Sequence, residues 1–115
     1  MDERSTEAET GTERGRAMSG SGGFVYLIRP RGHDVYKVGC SIDPTRRLRT
    51  IQGKSPSLDL ELVAQIYYPQ EHDRAEDAWH RVFAAWRLPG GREWFALPAA
   101  EVERFRSAAQ RIGAR

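Results

Sequence analysis

The sequence predicts a small α+β domain: a three-stranded antiparallel sheet flanked by helices, ordered ββαβα, with a short strand and a last helix after it. Three observations predict it. Two β-type runs flank a turn containing Pro and Gly, which makes a hairpin. Two later segments carry helical apolar spacing with start and stop signals. A further apolar strand lies between those two segments. At 115 residues the chain has room for one domain.

Residues 1–23 combine Gly, Ser, Thr, Glu and Arg with no apolar period. Such a composition cannot offset the entropy of ordering, so the segment reads as a disordered polar tail, with the domain at residues 24–115. Phe24-Val25-Tyr26-Leu27-Ile28 and Val35-Tyr36-Lys37-Val38-Gly39 are the hairpin strands, joined through Arg29 to Asp34. Asp43-Pro44 opens a helix, because aspartate caps exposed N–H groups and proline is tolerated at the first helical position. It passes Arg46, Arg47, Leu48 and Ile51 and stops near Gly53. Leu58 to Leu62 alternates strictly and Val63 to Tyr68 continues as an apolar strand, closed by Pro69. Ala75, Trp79, Val82, Phe83 and Trp86 then form one apolar helical face, between an acidic start (Glu71, Asp73) and a basic end (Arg87) that suit the helix dipole. After Leu88-Pro89-Gly90-Gly91, Glu93 to Leu97 is a short extended piece, and Pro98 starts a helix with Val102, Phe105 and Ala109 inward.

Composition narrows the function classes. The single cysteine, Cys40, excludes an internal disulfide, and no spaced Cys/His set suggests structural zinc. No apolar run approaches the roughly 18 residues of a membrane span, and the polar start is not a secretory signal. A cytoplasmic location is the expectation. The net charge is +2, yet residues 1–23 are net acidic, so the remainder is clearly basic and contains only two lysines, Lys37 and Lys54. Arginine suits planar, bidentate phosphate contacts, although genomic composition bias gives the same excess.

Five polar features are candidates for chemistry: Tyr26 with Lys37 on the hairpin, Arg47, Glu76 with His80, the exposed-looking Glu93, and Cys40. Glu76 borders the apolar stripe. From there it either holds a cation such as Mg²⁺ through one oxygen, or makes an ordinary surface contact with His80 one turn on. His80 reads as core-edge packing, since two ligands do not make a zinc site. Arg47 is indistinguishable by spacing from Arg46 and Arg49. Cys40 reads as a small buried hydrophobe.

Taken in order, Val25-Tyr26-Leu27, Lys37-Val38-Gly39, Ser41-Ile42-Asp43-Pro44-Thr45-Arg46-Arg47-Leu48, Ile51-Gln52, Glu76-x-x-x-His80-x-x-Phe83-x-x-x-Arg87 and Glu93-Trp94-Phe95 resemble the GIY-YIG nuclease superfamily. Within it they are most similar to the branch of phage-type DNA-binding domains and meiotically up-regulated gene products. The resemblance implies that Tyr26, Lys37, Arg47 and Glu76 form the catalytic set, with Glu76 holding Mg²⁺ or Mn²⁺. Arg47 would meet the non-bridging phosphate oxygens and Tyr26 would position or deprotonate the attacking water. Arg46, Arg49, Lys54, His80 and Arg87 are further candidates for nucleic-acid contacts.

Two departures from the superfamily pattern bear on the general base. Lys37 stands where the second-motif tyrosine is usual, and Tyr36, one residue off, points to the other face of its strand. Ile51 stands where a His or Tyr is common. The implied activity is phosphodiester hydrolysis, in DNA rather than RNA, with the tail, the domain or a partner protein supplying specificity. The alternatives are a DNA-binding module that has lost turnover, and a protein-interaction domain using Trp79, Trp86 and Trp94.

Overall fold

The structure is a computed structural model that describes residues 22–113, so all of the expected tail at residues 1–23 lies outside it except Gly22 and Gly23, of which Gly23 already belongs to the first strand. The chain forms β1 (Gly23–Pro30), β2 (Val35–Ser41), α1 (Pro44–Lys54), β3 (Leu60–Tyr68), α2 (His72–Val82), a 3-10 turn (Ala84–Trp86), β4 (Trp94–Ala96) and α3 (Ala99–Gly113). The α+β class and the element order are as expected. The short strand, however, joins the sheet, which has four antiparallel strands in the order β3-β1-β2-β4.

The sheet is covered on both faces. On one lie Tyr26, Ile28 and Leu60, covered by Leu48 and Ile51 of α1. On the other, Val25, Leu27, Tyr36, Val38, Cys40 and Ile66 pack with Phe83, Phe95, Val102 and Phe105 beneath α2 and α3. Strand alternation dictates this split, because residues two apart share a face. A bulge in β3 resets the phase: Leu27 pairs with Ala64 but Ile28 with Leu62, leaving Val63 as the extra residue. Leu60 and Leu62 therefore face α1, whereas Ile66 faces the larger core. The same shift turns Gln65 and Tyr67 towards the α1 face. It explains why strict alternation in the sequence stops at Leu62.

Helix α1 starts as expected: the Asp43 side chain accepts from Arg46 N, and Pro44 occupies the first turn. Helix α2 departs from expectation. It begins after Glu71, held at φ 55° with no side-chain cap, and ends at Val82 rather than continuing to Arg87. Its buried residues are centred on Glu76 and Phe83, so Val82 lies 45% exposed instead of inward. At about 100° per residue, Phe83 lies within about 20° of Glu76, which explains the rotation. The inward stripe includes the carboxylate.

Candidate nucleic-acid site

The hairpin register places the first two motifs side by side. Tyr26 pairs with Gly39, and Ile28 with Lys37, so Tyr26 and Lys37 share the α1 face. Tyr26 is fully buried and its ring lies over Gly39. A Cβ at position 39 would come within 2.5 Å of the Tyr26 hydroxyl oxygen. Glycine is thus required there by the tyrosine, not by backbone conformation.

Lys37 is buried, and its Nζ donates to Oε1 of Glu93 at 2.5 Å. The sequence suggested an exposed Glu93, but its side chain is only 16% exposed because it stands just ahead of β4 against β2. Strand pairing explains this: Lys37 faces Trp94, and Val38 N donates to the Glu93 carbonyl at 2.9 Å.

Arg47 projects from the first turns of α1. With Arg46, Ser41, Asp43 and Thr50 it lines a pocket of about 80 Å³. That is far below the roughly 300–1,000 Å³ of pockets enclosing drug-sized ligands, and suits one small anionic group. Ser41 Oγ accepts from Asp43 N at 3.0 Å, which fixes the strand-to-helix bend beneath it.

Glu76 and His80 approach β2 from α2. Strand β4 pairs with Val35 to Lys37, and just beyond it the outer edge of β2 at Val38 meets the Glu93 carbonyl and the His80 ring. His80 Nε2 donates to the Val38 carbonyl at 2.8 Å and lies 3.6 Å from Glu76 Oε2. The Cys40 thiol donates to Glu76 Oε1 at 3.2 Å. Cys40 is buried as expected, but it is also a polar neighbour of the carboxylate.

Three elements and the turn ahead of β4 thus contribute charged groups that act on one phenol. Lys37 and Arg47 act to lower the pKa of Tyr26, and Glu93 and Glu76 to raise it. Burial is the largest influence and pushes the phenol well above its ordinary range. Tyr26 therefore stays neutral and a hydrogen-bond donor at neutral pH.

The remaining candidates are scattered. Arg46 joins Arg47 at the pocket, whereas Arg49 and Lys54 are exposed on α1 and do not line it. Arg87 is exposed, with its guanidinium 5.1 Å from the centre of the Phe95 ring. His80 is part of the cluster, bound to the β2 edge. Ile51 packs beneath Tyr26 and Ile28, and Gln52 accepts from Leu60 N at 2.8 Å while bonding the Ser55 and Leu58 carbonyls. Neither supplies a base to the cluster. Sequence reasoning missed the pairing of Glu93 with Lys37. Ser41 and Thr50 were also missed as pocket walls; only the Ser-x-x-Pro pattern drew attention to the first of them.

Comparison with family models places the chain among nuclease-associated domains. Residues 23–110 match the family described as the T5orf172 domain, and the chain belongs to that family. No match is found among curated proteins or among solved structures. No helix of the described residues is long and apolar enough to cross a membrane.

Proposed function

We propose that the chain is a metal-dependent nuclease of the GIY-YIG type that hydrolyses phosphodiester bonds in DNA. One observation carries the proposal: the β1–β2 register sets Tyr26 and Lys37 on the face of the sheet where Arg47 of α1 lines the pocket beside Ser41, and Glu76 of α2 reaches the same end of β2 at Cys40. A basic pair and a carboxylate beside a phenol suit phosphoryl chemistry, which needs charge stabilisation and a positioned water.

Each residue takes a part suited to its surroundings. Arg47, half-buried at the pocket wall, engages the non-bridging oxygens of the phosphate with its planar fork. Neutral Tyr26 orients the attacking water by hydrogen bonding. Its raised pKa keeps the phenol protonated at neutral pH, so it is not available to take a proton. Lys37, held by Glu93, contributes fixed positive charge near the developing negative charge. Glu76 would hold Mg²⁺ or Mn²⁺.

The donor set fits such an ion. Among the described residues no group of three or more His, Cys, Asp or Glu could hold a metal alone. Magnesium, however, is commonly held by one or two carboxylates with waters and substrate phosphates. When bound, the ion supplies charge neutralisation at the phosphate and a more acidic water.

A second reading is favoured by a different observation. Tyr26 is fully buried, Lys37 and Glu76 nearly so, and Ile51 is committed to the core. A DNA-binding module that binds phosphate at Arg46 and Arg47 without turnover fits that enclosure. Supercoiled plasmid incubated with the chain and Mg²⁺ or Mn²⁺ separates the two. Nicking that EDTA stops supports the nuclease; retention of DNA without nicking supports the module.

A further inference from the structure

Beside the arginine-lined pocket, the α1 face of the sheet carries an aromatic row that the mechanism does not use. Phe24 pairs across the hairpin with Ser41, which lines the pocket, and on its other side with Tyr67. The three residues therefore form one cross-strand row on one face. The rings of Phe24 and Tyr67 lie 5.2 Å apart at 60°, and Tyr67 is 47% exposed. Both lie at the end of the sheet where α1 begins, since Ser41 leads into that helix through Asp43. The hydroxyl edge of the Tyr67 ring lies close to Gly22.

We propose that Phe24 and Tyr67 are a stacking platform for an unpaired base whose 5′ or 3′ phosphate occupies the pocket of Ser41, Arg46, Arg47 and Thr50. The substrate class is then a nucleic acid with a single-stranded or flipped nucleotide at the site, which supercoiled DNA also offers where it opens locally, rather than a fully stacked duplex. This inference rests on the phosphate-binding role of Arg47 given above and adds the base.

Three arguments carry it. Strands lie about 4.8 Å apart, so Phe24 stands roughly 5 Å and Tyr67 roughly 10 Å from the pocket wall at Ser41, within reach of one nucleotide. Arg46 and Arg47 line the pocket at the phosphate end, while the row offers an aromatic face at the other. Single-strand binders combine those two elements, a basic track and an aromatic ring on which a base stacks. A base within a duplex is already stacked on its neighbours and cannot reach such a ring.

The test compares binding of a short oligothymidylate with that of a sugar-phosphate chain of equal length lacking bases, in EDTA, at fixed salt. The full-length chain binds the oligothymidylate about tenfold more tightly than the abasic strand, and Tyr67→Ala removes that difference. Tyr67→Trp keeps it, which shows that a ring is required rather than the hydroxyl. Arg47→Ala weakens both ligands alike. If Tyr67→Ala weakens both equally, or only changes the oligomeric state, the row is not a base platform and the phosphate reading stands. If the unaltered chain binds neither strand, both readings fall.

Discussion

The Nζ of Lys37 lies 2.5 Å from Oε1 of Glu93, with side chains only 6% and 16% exposed. This pair joins β2 to the start of β4 and fixes a cation beside Tyr26. Removing one partner leaves the other charge shielded from water without its counter-ion. Glu93→Gln is expected to lower unfolding stability by about 3 kcal/mol in urea titrations. The double change Lys37→Met with Glu93→Leu recovers most of that loss, because no charge is then stranded.

Gly39 and Tyr26 form a second tight relationship. An added Cβ would lie 2.5 Å from the Tyr26 hydroxyl oxygen and 2.7 Å from Cζ. Gly39→Ala is therefore expected to cost about 1–3 kcal/mol by forcing the ring aside. Combining it with Tyr26→Phe recovers only part of the loss, since the clash with the ring carbon remains. Thermal unfolding of the two variants checks the order.

Burial of Tyr26 makes an alkaline prediction. Its folded pKa is raised above that of the unfolded chain, so the folded state retains the proton longer. The resulting contribution to stability is fully present below about pH 10, the ordinary tyrosine value, and is lost as pH rises further. Tyr26→Phe should accordingly show a shallower loss of stability above pH 10 than the unaltered chain. Parallel slopes in urea unfolding at several alkaline pH values would count against the burial argument.

Arg46 and Arg47 should behave alike in salt and differently in catalysis. Both line the pocket, so either alanine variant reduces the slope of log affinity for DNA against log salt by about one unit. Arg47 alone is among the charges acting on Tyr26, and only its loss removes turnover. Binding titrations from low to moderate salt give the slopes.

Much of the fold was legible because local signals agreed with tertiary ones. Asp43-Pro44 specified the helix start, and alternation from Leu58 to Leu62 signalled a strand, which begins only at Leu60 and leaves Leu58 exposed in the turn before it. The bulge at Val63 was not legible, since an apolar run leaves its phase undefined until the partner strand sets the register. The end of α2 at Val82 was hidden for a similar reason: no Gly or Pro marks it, and the 3-10 turn follows from the packing of Phe83. Tyr26, Lys37, Arg47 and Glu76, the residues of the proposed site, were legible only as an ordered motif set. The burial of Glu93 against Lys37 depends on a pairing between residues 56 positions apart, which spacing cannot reveal.

The most direct measurement is conversion of supercoiled plasmid to the nicked form by purified full-length chain with Mn²⁺, beside Glu76→Gln and Arg47→Ala prepared identically. Each variant must retain the unaltered thermal transition. The account predicts nicking by the unaltered chain, a loss of at least about a hundredfold in each variant, and retained DNA binding by Glu76→Gln. Equal nicking by all three proteins, or none by the unaltered chain despite tight binding, would contradict it.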